Sequence, residues 1–342
     1  MPTLAATENV SFFYADSGAP SSSAYSTIVI FHGYRWHSAV FDRLLPLASK
    51  HNIRLICVNR RGYPGTTPFT PEEEAGLASS DPSQTLAEQG IIFARLIAKL
   101  PDALGLPRPS GSDFGGIALA GWSLGTLFVR LVLTALDEVD EPTRNVLCTY
   151  VRQLILWDVP SPFVGVVPPP EAYFPLADER LSPGERMDIF IPWVSAYYTH
   201  DLASRKPTYG APDQDRPPSV HAPELLAIMA PEASVTGDTS LMRAELIPLM
   251  RRIAEETLFD AALHRRWGGL DIQCLTGSRS VWLCTLAPWW LEDAAKKAGI
   301  PIKGKMIPNG NHFAMWDNPE ATIRALVECC STAGPNKVAA HM

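Results

Sequence analysis

Seven short apolar runs punctuate the chain: Val10–Tyr14, Tyr25–Phe31, Arg54–Val58, Gly116–Ala120, Val151–Trp157, Asp271–Thr276 and Ile302–Ile307. Each has strand length, and several are apolar at nearly every position, the pattern of strands buried on both faces. Between them the period lengthens. Leu86, Gly90, Phe93, Ile97 and Leu100 fall on one helical face, in a helix opened by Asp81-Pro82. Phe41, Leu44, Leu45 and Ala48 also have helical spacing. Thr126–Leu136 is apolar nearly all round and predicts a buried helix, and Trp289–Ala298 predicts another. A last helix opens with Asn318 as N-cap and Pro319 behind it, carrying Ile323, Leu326, Val327 and Cys330 on one face. Residues 67–80 read as a polar loop, and Pro101–Gly115 as a surface loop.

Strands alternating with helices predict a mainly parallel sheet covered on both faces. The alternation stops between Val159 and about residue 268. Fourteen of the 31 prolines fall between Val159 and Pro231, a density that argues against regular strands there. Helical segments are expected at Pro183–Tyr198, Pro223–Met229 and Leu241–Trp267. The expected organisation is a core of residues 1–158 and 269–342 with a helical cap, residues 159–268, over one edge of the sheet.

Composition narrows the picture. With 342 residues, 46% of them hydrophobic and 19% charged, the chain is a globular one able to bury a large core. A net charge of −7 gives no basis for a nucleic-acid partner. The N-terminal stretch lacks the pattern of a signal peptide, and no apolar run reaches membrane-spanning length. Six cysteines without scaffold or metal-ligand spacing fit a reducing compartment, so a cytoplasmic protein without disulfides or metal is expected. Neither a dinucleotide fingerprint nor a P-loop occurs, and no cofactor is expected.

The candidate chemistry centres on Gly121-Trp122-Ser123-Leu124-Gly125. A serine between glycines at a strand-to-helix junction matches a nucleophile elbow, with the helix N-terminus beside the hydroxyl. The base expected for Ser123 is His312, after the last strand and before the last helix. The acid must lie between them in the chain. The loop after the strand ending at Thr276, Gly277-Ser278-Arg279-Ser280-Val281, has no carboxylate. Asp158, at the end of the preceding strand, is the expected acid, and Asp317 is its rival. Backbone N–H groups of Tyr34 and Leu124 are the expected oxyanion donors. His32 is expected to bond loop backbone, and Arg60-Arg61-Gly62-Tyr63 to shape a loop rather than bind an anion. Trp122, Trp157, Trp193, Tyr197 and Tyr198 are candidate pocket walls, each also compatible with packing.

Taken together, Tyr14-Ala15-Asp16-Ser17-Gly18, His32-Gly33, Asn59-Arg60-Arg61-Gly62-Tyr63, the Gly121–Gly125 elbow and Gly310-Asn311-His312-Phe313 resemble the α/β-hydrolase superfamily. The capped, proline-rich form looks most like fungal hydrolases of that superfamily. The resemblance implies an eight-stranded, mostly parallel sheet with a lid after the sixth strand. It places the common acid position at Ser280, and some members of the superfamily carry the acid after strand six instead. A serine nucleophile separates the chain from epoxide hydrolases and haloalkane dehalogenases, which use aspartate. The expected activity is hydrolysis of an ester, lactone or thioester of a small molecule. Acyl transfer, carbon–carbon bond hydrolysis or lactonising cyclisation would use the same groups. A non-catalytic binding protein on the same fold is the reading from another class.

Overall fold

The structure is a computed structural model, and it describes residues 2–110, 114–235 and 237–330. Eight strands form one sheet: β1 (Thr3–Ala5), β2 (Ser11–Asp16), β3 (Ser26–Phe31), β4 (Ile53–Val58), β5 (Ile117–Trp122), β6 (Val151–Trp157), β7 (Asp271–Gly277) and β8 (Ile302–Ile307). Their spatial order is β1-β2-β4-β3-β5-β6-β7-β8. β1 and β2 pair antiparallel, β2 joins β4 antiparallel, and every later pairing is parallel.

The central strands β3, β4, β5 and β6 are buried almost throughout, as their unbroken apolar runs require. β8 lies at the edge and alternates instead. Its Lys303 and Lys305 reach Asp271 and Glu328, charges that also discourage pairing with another chain. β1 is three residues long with its outer positions exposed, so it left no hydrophobic pattern to read.

Helices cover both faces. Ser83–Leu104, Gly125–Thr134, Glu141–Tyr150 and Ile247–Leu258 pack on one another in one layer, and Leu45–Ala48 and Pro319–Cys330 pack together in the other. Leu86, Gly90, Phe93, Ile97 and Leu100 are all buried, as their spacing predicts. Two differences from expectation follow from local signals. Pro71–Ala78, inside the expected polar loop, is a helix whose Thr70 and Glu73 form a reciprocal capping box. The helix expected from Trp289 begins at Trp282 and accommodates Pro288 within it.

Between β6 and β7 the described residues contain helices, turns and irregular chain but no strand of the sheet. The segment has two parts. Pro183–Val194 and the short helices through Leu246 lie over the sheet edge that holds Tyr34 and Trp36. Ile247–Leu258 packs on the helix Gly125–Thr134, and the Trp267 indole donates to the Leu133 carbonyl, which places this last part in the helical layer of the sheet. Among the described residues no helix is long and apolar enough to cross a membrane.

Candidate active site

β5 ends at Trp122, and the chain turns into the helix Gly125–Thr134 within two residues. Ser123 is the turning point, with φ +55°, a left-handed conformation that costs a non-glycine residue about 1–3 kcal/mol. Its N–H is held by the Trp157 carbonyl at 2.8 Å. The flanking glycines leave the backbones room to meet. A Cβ on Gly121 would lie 2.5 Å from the Gly125 carbonyl carbon, and one on Gly125 would strike the Phe31 carbonyl oxygen. Ser123 therefore stands at the carboxyl ends of the central strands.

His312 follows β8 in a loop that turns on Asn309, itself left-handed at φ +54°. The Trp122 indole donates to the His312 carbonyl at 3.0 Å, and its ring lies 4.9 Å from the imidazole. The loop is also pressed against the end of β7, where a Cβ on Gly277 would lie 2.5 Å from the Gly310 carbonyl oxygen. His312 Nδ1 is 3.0 Å from Asp158 Oδ2. A carboxylate on Nδ1 holds the proton there and leaves Nε2 unprotonated, the form a general base needs.

Asp158 directly follows β6 with φ +47° and is completely buried. A buried carboxylate must be solvated by the protein. Its Oδ1 accepts from the Gly277 N–H at 2.9 Å, and Oδ2 accepts from the Ser280 hydroxyl at 2.9 Å as well as from His312. The Ser280 hydroxyl thus supports the carboxylate one strand away. Asp317 is engaged elsewhere, accepting from the hydroxyls of Tyr197 and Ser219 in the inserted segment.

Cys284 adds a thiol to this cluster, donating to the Asp158 carbonyl at 3.2 Å with its sulfur 3.6 Å from His312 Nδ1. Asp158, Cys284 and His312 offer one metal-ligand atom each within 4.8 Å of one another. Burial first, and then the Asp158 charge, push the Cys284 thiol well above its usual pKa, so the sulfur keeps its proton. The cluster is satisfied as a hydrogen-bonded one.

Neither the Tyr34 N–H nor the Leu124 N–H donates to another described residue. Both flank Ser123, since a Cβ on Gly33 would lie 2.8 Å from the Ser123 Cβ. His32 is buried, its Nε2 accepting the Arg60 N–H at 2.9 Å, which requires Nδ1 to carry the proton given to the Gly33 carbonyl. Burial above all, then the Arg60 charge, hold its pKa well below the usual histidine range, so it stays neutral. Arg60 caps the same loop, giving Nε to the His32 carbonyl and Nη2 to the Gly33 carbonyl. Arg61 holds the Thr67 and Pro68 carbonyls and Glu73. Both arginines shape loops. Spacing did not reveal their partners, although two adjacent arginines directly after a buried strand were a signal of buried ion pairs.

A cavity of about 840 Å³ opens from Tyr34, Pro160 and Leu283 into the inserted segment. Its walls include Phe163, Phe174, Leu176 and Met250, within the size range of small-molecule sites. Arg180 there pairs with Asp178, and the Arg243 guanidinium donates to the Ser79 and Ser240 carbonyls. None of the five expected aromatic walls lines this cavity. Trp122 holds the His312 loop, and Trp157 packs on Phe41 beneath the strand ends. Trp193 packs between Phe174 and Trp282, Tyr198 donates to the Trp193 carbonyl, and Tyr197 lies beneath the guanidinium groups of Arg216 and Arg279.

An eight-stranded sheet of this order, with a serine elbow after its fifth strand, defines an α/β hydrolase architecture. The alpha/beta hydrolase family matches residues 28–325, and the chain belongs to that family. Solved structures similar to it include a bromoperoxidase from Bacillus anthracis (TM-score 0.55, 13% identity, 97% of this chain and 99% of the other). An epoxide hydrolase A from Mycobacterium thermoresistibile (0.55, 17%, 96% and 97%) and an esterase from Exiguobacterium antarcticum (0.56, 15%, 96% and 99%) are also similar. At these identities the likeness is one of fold. No curated protein matches the sequence.

Proposed function

We propose that the protein is a serine hydrolase cleaving an ester, lactone or thioester of a moderately apolar small molecule. Ser123 attacks the carbonyl carbon while its proton passes to His312 Nε2. Asp158 holds the imidazole in the required tautomer and offsets its positive charge. The N–H groups of Tyr34 and Leu124 receive the oxyanion. The leaving oxygen or sulfur takes the proton from His312, and an acyl-Ser123 remains. Water then attacks the acyl carbon, loses its proton to His312, and Ser123 recovers that proton as the acid departs. The segment inserted after β6 serves as the cap, and its cavity receives the apolar part of the substrate.

The observation that supports this most is the conjunction of a left-handed Ser123 between two sterically required glycines with a buried His312–Asp158 pair at 3.0 Å. A fluorophosphonate probe and a series of p-nitrophenyl esters test it. Wild type is expected to be labelled at Ser123 and to turn over esters. Ser123→Ala should lose labelling and about 10⁴- to 10⁶-fold in rate with the fold intact. An unlabelled wild-type protein overturns the reading.

A further inference from the structure

The expected oxyanion donor on the Tyr34 side sits in a loop stitched to the inserted segment as well as to the loop after β4. The Trp36 indole donates to the Leu225 carbonyl at 3.0 Å, the Ala230 N–H donates to the Arg35 carbonyl at 2.7 Å, and Trp36 bridges Met229. Deeper in, the carboxylate of Asp238, from the inserted segment, receives Arg60 Nη1 at 2.7 Å and Nη2 at 2.6 Å. The Tyr63 hydroxyl donates to the same carboxylate at 2.6 Å and accepts the Arg35 N–H at 3.0 Å. Next along the chain, Thr239 shares a hydrogen bond of 3.0 Å with the Tyr34 hydroxyl. Arg60 and Asp238 are both buried, with 1% and 2% of their surface exposed.

These contacts converge on a single peptide. Gly33 O accepts from both Arg60 Nη2 at 2.8 Å and His32 Nδ1 at 2.9 Å. The Gly33 carbonyl and the Tyr34 N–H belong to one planar trans unit and point in opposite directions. Two donors that fix the carbonyl therefore aim the Tyr34 N–H. Arg60 can hold that geometry only while its own charge is matched, because an unpaired buried guanidinium is costly and would seek another partner.

We infer that Asp238 is a positioning residue for the oxyanion hole, so that docking of the inserted segment and assembly of the Tyr34 donor are one event. Asp238 acts through Arg60 on the Gly33–Tyr34 peptide, and Thr239 anchors the side chain of the same residue. The segment that walls the substrate cavity thus also completes the catalytic donor set. An undocked segment lacks one oxyanion donor. This rests on the serine-hydrolase reading above.

The test is the second-order rate of fluorophosphonate labelling at Ser123, since the phosphonyl oxygen occupies the same hole as the substrate oxyanion. Replacing both partners, as Arg60→Met with Asp238→Leu, removes the pair without stranding a charge and is expected to keep the melting temperature within a few degrees. Labelling should slow by about 10²-fold, the scale set by loss of one oxyanion donor. On an ester that wild type turns over, kcat should fall by a similar factor with KM little changed. Asp238→Glu, which keeps a carboxylate against Arg60, should recover most of the rate. A folded double variant that labels at the wild-type rate overturns the inference, whereas a wild type that does not label overturns the hydrolase reading instead. Should the double variant not fold, Thr239→Val removes the hydroxyl that bonds the Tyr34 hydroxyl. A threefold or greater fall in labelling then supports the inference, and an unchanged rate overturns it.

Discussion

Asp158→Asn is the sharpest perturbation of the site, because both carboxylate oxygens have defined partners. Oδ1 faces the Gly277 N–H, a donor that cannot reverse, so the oxygen of the substituted carboxamide must stay on that side. The amide NH₂ then faces His312 Nδ1 and the Ser280 hydroxyl. Ser280 adapts by rotating its hydroxyl to accept. His312 adapts only by moving its proton to Nε2, which disables the nitrogen that takes the proton of Ser123 in the proposed mechanism. Loss of the correct tautomer together with the carboxylate charge is worth about 10⁴-fold in kcat, or about 5 kcal/mol of barrier. Asp317→Asn touches only the hydroxyls of Tyr197 and Ser219 and should cost less than about tenfold, within the range of a positioning contact worth about 1 kcal/mol. The assay is the initial rate on a p-nitrophenyl ester, with circular dichroism to show that both variants fold. A larger loss at Asp317 than at Asp158, or a loss below tenfold at Asp158, would refute the assignment.

Three further outcomes are expected. Gly125→Ala drives a methyl into the Phe31 and His32 carbonyl oxygens and should lower stability by about 3 kcal/mol or more. Gly210→Ala meets nothing within 4 Å and should leave the urea midpoint unchanged, so equal effects at the two sites would contradict the packing argument. Burial depresses the pKa of His32, so the unfolded chain binds a proton that the folded one refuses. Stability should therefore fall as pH drops below about 6.5, by about 1.4 kcal/mol per pH unit from this residue alone until its folded pKa is reached. His37, His200 and His264 are shifted the same way by burial, and a melting temperature unchanged from pH 7.5 to 5 would count against all four. Finally, the apolar cavity walls should favour longer acyl chains, at up to about 0.8 kcal/mol per methylene buried. From p-nitrophenyl acetate to octanoate, kcat/KM should rise at least about tenfold, and a flat series would place the acyl group outside the cavity.

Local patterns made most of the core legible. A buried parallel strand shows itself as an unbroken apolar run, and β3 to β6 do so because both of their faces are covered. The Gly121–Gly125 elbow was readable because its geometry is local: a tight turn needs small residues at fixed offsets. His312 and Asp158 were readable as strand-end positions, since topology delivers the carboxyl ends of parallel strands to one edge. The helix Pro71–Ala78 escaped the hydrophobic pattern because its run of glutamates leaves only Leu77 buried, although Thr70-Pro71 and Glu73 spell its capping box.

What lay outside local pattern was partnership. No spacing rule connects Arg60 with Asp238, 178 positions away, or tells that the Ser280 hydroxyl donates to Asp158. Nor does aromatic character distinguish a cavity wall from a packing residue, and for that reason Trp122 and Trp157 went to the strand ends while Phe163 and Phe174 line the cavity. The positions of Ser123, His312 and Asp158 follow from strand order and turn chemistry, which short stretches of chain encode. How the inserted segment meets the loop that carries Tyr34 depends on which buried charge finds which opposite charge. Desolvation settles that pairing only when distant segments are packed together.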